Sequence, residues 1–127
     1  MQNEIYKIIQ DSLDNEYGYG TNDCNLTVLK IIDVIAGTTL ANRTYSNIKE
    51  GIAGLKKDGF NNTGEVVEKY CDEVKYTIDG DIWLDPDNPL IMAVVASNRI
   101  VAVNEDHTGF VLMPKPTNGK YYRVRKQ

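Results

Sequence analysis

Among the side chains able to do chemistry, Cys24 is the most suggestively placed. It follows Tyr17-Gly18-Tyr19-Gly20-Thr21-Asn22-Asp23 and opens the most apolar stretch of the chain, which ends at Ala36 before Gly37. A thiol in the first turn of a helix faces unpaired backbone N–H groups and the positive end of the helix dipole, which favours thiolate. The same N–H groups can hold an oxyanion after attack on a carbonyl. The plainer alternative is a small buried hydrophobe, since free cysteine is among the most buried residue types. A nucleophilic thiol also needs a base that takes its proton and later protonates the leaving amine. The chain has one histidine, His107, within Asn104-Glu105-Asp106-His107-Thr108-Gly109, where an exposed turn is the competing reading. Asp23 is explained by helix N-capping alone.

Other groups give less. Cys71, near Val67 and Val74, reads as a core thiol on the apolar side of a helix. Two cysteines and one histidine are too few for an ordinary structural zinc site. Asp79, Asp81, Asp85 and Asp87 alternate as in a calcium loop but lack its remaining ligands and terminal Glu. They read as a solvated strand edge and turn, so no metal is expected. Neither a Gly-rich phosphate loop nor a nucleophilic-serine elbow is present, and no cofactor is expected. Lys115, Lys120, Arg123, Arg125 and Lys126 make the C-terminal end locally basic, as a solvated tail or a dock for an acidic partner.

The elements that must position these groups follow from hydrophobic period. Ile5, Ile8 and Ile9 recur at helical spacing over about residues 2–14. Residues 23–36 are apolar around most of the helix circumference, the mark of a buried central helix. A third helix is expected over 46–57 and a fourth from Asn62 through Cys71, with Glu65 reaching back as in a capping box. Beyond Val74 the period becomes two. Strands are expected at 76–84, 90–96, 99–103, 109–113 and 121–125, with Ser97-Asn98 as a tight hairpin. Trp83 is expected to fill the interface between sheet and helices. Helices followed by an antiparallel sheet of four to six strands define an α+β class.

Composition sets the outer bounds. A chain of 127 residues with 42% hydrophobic and 25% charged side chains is read as a single domain over 1–127. A net charge of −4 disfavours wholesale nucleic-acid binding, which wants a basic face. No apolar run approaches the roughly 20 residues that cross a bilayer, so no membrane insertion is expected. Met1-Gln2-Asn3-Glu4 has neither a basic start nor a following apolar run, so no signal peptide is expected.

Tyr17 to Cys24, followed by an apolar helix ending at Gly37, resembles the nucleophile segment of NlpC-type cysteine peptidases. These are compact papain-like enzymes that cut peptide bonds in bacterial cell-wall stems. Gly80-Asp81-Ile82-Trp83 resembles the Gly-Asp that opens their sheet, and Tyr121-Tyr122-Arg123-Val124 resembles the last strand of a phage tail-associated branch. The resemblance implies a papain-like fold, Cys24 as nucleophile, and Asp23 with Tyr19 as substrate-binding residues, Asp23 at a substrate amine. It also marks a departure. The family's base histidine opens the strand after the Gly-Asp strand, and Asn88-Pro89-Leu90-Ile91 stands there instead. His107 comes about one strand later.

Two functions follow as expectations. In the first, the scaffold persists with degraded or absent catalysis, in a phage structural, tail-assembly or host-interaction protein. Its partners would be other phage or host proteins, in the host bacterial cytoplasm or the virion. In the second, the chain is a thiol hydrolase acting on peptidoglycan stem peptides, with Cys24 as nucleophile and His107 as base.

Overall fold

A computed structural model describes residues 2–126. Among them are four helices, α1 (Gln2–Asp14), α2 (Cys24–Ala36), α3 (Ile48–Lys57) and α4 (Thr63–Tyr70). Six strands follow: β1 (Cys71–Val74), β2 (Ile82–Leu84), β3 (Met92–Ala96), β4 (Arg99–Val103), β5 (Phe110–Pro114) and β6 (Lys120–Val124). The class is α+β. No helix among the described residues is long and apolar enough to cross a membrane.

Local chemistry sets the helix ends. Asp23, Asn47 and Asn62 adopt extended backbone and accept from the third residue onward: Leu26, Glu50 and Glu65 respectively. Glu65 reaches back to the Asn61 N–H at 2.8 Å, and these bonds to Asn61 hold its carboxyl below the usual range. Gly37 ends α2 at φ 77°, a left-handed conformation that costs glycine little. The α2 helix is apolar all round because α1, α4 and strands β3 and β6 pack around it. Val28, Leu29, Ile31 and Ile32 are buried there, each contributing about 1.5–3 kcal/mol relative to exposure.

The strands form one antiparallel sheet in the order β1-β6-β2-β3-β4-β5. The last strand is thus inserted between the first two. Ser97 and Asn98, at φ 51° and 60°, make the expected tight hairpin between β3 and β4.

Several sequence expectations are corrected. Cys71 is not on α4: it starts β1, opposite Val124, and is buried. Pairing to β6 converts the chain from helix to strand without a breaker residue. Burial pushes the Cys71 thiol up to about 12. Tyr76, Thr77 and Ile78 form no strand, because Asp81 takes the Ile78 N–H and Arg123 takes the Tyr76 carbonyl. Trp83 does not face the helices. Side chains alternate along a strand, so while Ile82 and Leu84 join the helix-side core, Trp83 packs on the opposite face with Ala93, Val95 and Ile100. Its indole N–H donates to the Asn118 carbonyl at 2.9 Å.

The four aspartates are not a uniformly solvated edge either. Asp81 is 1% exposed and holds Arg123 through two bonds of 3.0 and 2.9 Å. Asp79 accepts from the Ser97 N–H, and Asp85 accepts from Asp87 and Asn88. The basic C-terminal residues are no free tail: Lys120, Arg123 and Arg125 pair with Glu73, Asp81 and Asp72.

Candidate functional site

The segment before α2 is a tight turn closed by reciprocal main-chain bonds between Gly18 and Asn22. Gly20 sits within it at φ 77°, and a Cβ there would lie 2.0 Å from the Tyr45 carbonyl oxygen. Only glycine lets the two strands of chain approach so closely. Asn22 is buried, and its side-chain amide donates to the Ser12, Asn15 and Glu16 carbonyls, tying the end of α1 to the start of α2.

Asp23 is 2% exposed and organises the site. One carboxylate oxygen accepts from the Leu26 N–H at 2.7 Å. The other accepts from the Gly20 N–H at 2.8 Å and the Tyr45 hydroxyl at 2.5 Å. The N-cap reading of Asp23 therefore holds, and the carboxylate is already occupied from three sides.

Cys24 is half-buried at the first position of α2, facing a partly open groove of about 380 Å³. Tyr19, His107, Leu90, Met92 and the α3 residues Ile52 and Leu55 are among its walls. The thiol points at the Leu90 carbonyl across 3.9 Å and accepts from the Asn25 side-chain amide at 3.3 Å. That amide also donates to the Leu90 carbonyl at 3.0 Å. The sequence expectation that helix position favours thiolate is corrected here. Burial first, and the Asp23 carboxylate second, push the Cys24 thiol above its ordinary value. The Asn25 side-chain amide and the Met92 and Asn25 main-chain N–H groups pull the other way without reversing the balance.

His107 borders the same groove but bonds elsewhere. Its main-chain N–H donates to the Asn104 carbonyl, and its backbone is held at φ 55°. The imidazole is edge-on to Tyr17, with 6.1 Å between ring centroids. Tyr17 also meets Tyr19 at 5.6 Å and Phe110 at 5.7 Å, and its N–H donates to the Thr108 carbonyl. Burial, then Cys24, raises the Tyr17 hydroxyl, while burial and the bond to Asp23 raise that of Tyr45. Among the described residues, His107 is not a hydrogen-bond partner of Cys24.

The fold thus brings Cys24, Asp23, Tyr19 and His107 to one groove without joining the thiol to the imidazole. Sequence reasoning missed Asn25, Tyr45 and Tyr17. Asn25 was detectable as a polar residue next to Cys24 in a helix that is mostly apolar. Tyr45 lies in an aperiodic stretch between helices and gave no signal.

One consequence is direct. Asp23→Asn keeps a side-chain oxygen for the Leu26 N–H but removes the negative charge beside the thiol. The pH profile of Cys24 alkylation by iodoacetamide, read by intact mass, is expected to move to lower pH in this variant. An unmoved profile would mean that Asp23 does not set the thiol's acidity.

The arrangement defines a class: an α+β domain with a half-buried thiol at a helix start, facing an apolar groove. Residues 1–124 match the family described as a domain of unknown function, DUF6950, and the chain belongs to that family. No curated protein and no solved structure matches it.

Proposed function

We propose that this chain is an NlpC-like protein of phage type that keeps the outline of a papain-like cysteine peptidase and has lost turnover. The groove beside Cys24 then serves recognition, in a structural, tail-assembly or host-interaction role with phage or host proteins as partners. The setting is the host bacterial cytoplasm or the virion. The observation that carries the loss of turnover is the thiol's own surroundings. Where the family resemblance calls for a base, Cys24 meets the Leu90 carbonyl and the Asn25 amide. A carbonyl accepts a hydrogen bond but does not store a proton near neutral pH, and a thiol whose acidity is weakened supplies little nucleophile.

A second reading, an active thiol hydrolase on cell-wall stem peptides, is favoured by one fact: His107 borders the same groove. Its ring does not hydrogen-bond the sulfur and would have to move to reach it. In that reading Tyr19 binds substrate, and Asp23 binds it only by giving up one of the three donors its carboxylate now takes.

The two are separated by incubating the protein and its Cys24→Ala variant with synthetic stem peptides and following cleavage by mass spectrometry. Equal, background-level cleavage is expected, together with Cys24 alkylation at the same rate in wild type and His107→Ala. Cys24-dependent cleavage would overturn the proposal, and slowed alkylation in His107→Ala would point to a working thiol–imidazole pair.

A further inference from the structure

The two edges of the sheet are managed differently. At one edge, β1 carries Asp72 and Glu73, which pair with Arg125 and Lys120. Charged side chains of this kind discourage strand addition. At the other edge, β5 carries no charge. Val111, Leu112 and Met113 are consecutive and each about 40% exposed.

The hydrogen-bond phase of β5 follows from its hairpin. Asn104 N–H donates to the Gly109 carbonyl, so Val111 and Met113, opposite Ala102 and Ile100, are the residues that exchange bonds with β4. Phe110, Leu112 and Pro114 therefore turn their main-chain polar groups outward. No bond from these outward groups is found among the described residues.

The ends of this edge differ in charge. Glu105 and Asp106, both exposed, precede β5, whereas exposed Arg99 lies opposite Pro114, and half-buried Lys115, which donates to the Thr77 hydroxyl at 2.8 Å, follows it. An antiparallel two-fold pairing places the acidic end of one strand against the basic end of its copy. We infer that β5 is a self-association edge whose occupant is β5 of a second copy of this chain, centred on Leu112.

In that register Leu112 exchanges two main-chain bonds with Leu112 of the copy. The Phe110 N–H groups reach the copy's Pro114 carbonyls, and Val111 stands opposite Met113. Lys115 stands opposite the copy's Gly109, the last residue of the turn that bears Glu105 and Asp106. Proline at 114 removes an outward N–H but no ladder bond to β4, and it limits the pairing to this short stretch. A short interface of this size gives a concentration-dependent dimer rather than an obligate one. This inference is independent of the Cys24 groove.

Sedimentation velocity over roughly 10–300 µM tests it, because association shifts with protomer concentration. The mass is expected to move from 14.3 kDa towards twice that value. Leu112→Pro removes an outward N–H and leaves the β4 bonds in place, and it is expected to stay monomeric with an unchanged far-UV spectrum. Val111→Lys combined with Met113→Lys places like charges opposite each other across the two-fold and is also expected to be monomeric. It decides the matter should the proline variant not fold. A wild-type chain monomeric across the range overturns the inference, as does a dimer that survives in a folded variant. A monomer that binds an extended peptide of another protein along β5 counts as overturning it too.

Discussion

Asp23→Ala is expected to destabilise the fold by about 3 kcal/mol and to loosen the groove around Cys24 at the same time. The carboxylate is almost fully buried and receives three donors: the Leu26 N–H, the Gly20 N–H and the Tyr45 hydroxyl. Truncation removes the α2 cap, typically worth about 1 kcal/mol, and leaves donors that had given up water for the carboxylate. Those donors come from the turn before α2 and from Tyr45, whose backbones approach closely at Gly20. Losing their common acceptor frees both walls of the site. Urea unfolding measures the effect as a lower midpoint at an unchanged slope, and Asp23→Asn should retain much of the loss. A change below about 0.5 kcal/mol, the range of ordinary surface substitutions, would show that Asp23 is not the organiser of the site.

The second large effect concerns the pair formed by Asp81 and Arg123. Arg123→Met is expected to cost about 3 kcal/mol, more than Asp81→Ala, because removing one partner of a buried pair strands the other. The two partners are unequally buried: the Asp81 side chain is 2% exposed and that of Arg123 is 40% exposed. Without Arg123, Asp81 keeps only the Ile78 N–H for its charge. Without Asp81, the guanidinium can turn to water. The pair also joins the segment before β2 to the final strand, since Arg123 holds the Tyr76 carbonyl. Thermal melts of both single variants and the double variant give the coupling. Equal costs for the two single variants would contradict the burial asymmetry on which the ranking rests.

Much of this architecture was legible locally. The α2 helix announced itself by its apolar circumference and by Asp23 and Gly37 at its ends. Asn62 with Glu65 marked the start of α4, and Ser97-Asn98 marked the hairpin. These signals are contained within a few consecutive residues, where capping and turn chemistry act. Legibility stopped where a residue's partner lies far along the chain. Cys71 read as helical because Val67 and Val74 suggest that period. Its strand state depends on Val124, more than fifty residues later.

The carboxylates and the basic C-terminal end show the same limit. Asp81 is marked by the Gly-Asp pair it forms with Gly80, but nothing local says that it is buried while Asp79 and Asp85 are not. It is buried because β6 enters the sheet between β1 and β2 and brings Arg123 alongside. In the same way, the sequence by itself determined that a thiol would stand at the start of a buried helix, since spacing and caps decide that. Whether the thiol would meet a base was decided only by tertiary structure. The turn that leads into β3 brings the Leu90 carbonyl to the sulfur, while the turn bearing His107 is anchored to Asn104 and leans on Tyr17. Side-chain proximity across a sheet depends on strand order and register, and neither is written in any single stretch of residues.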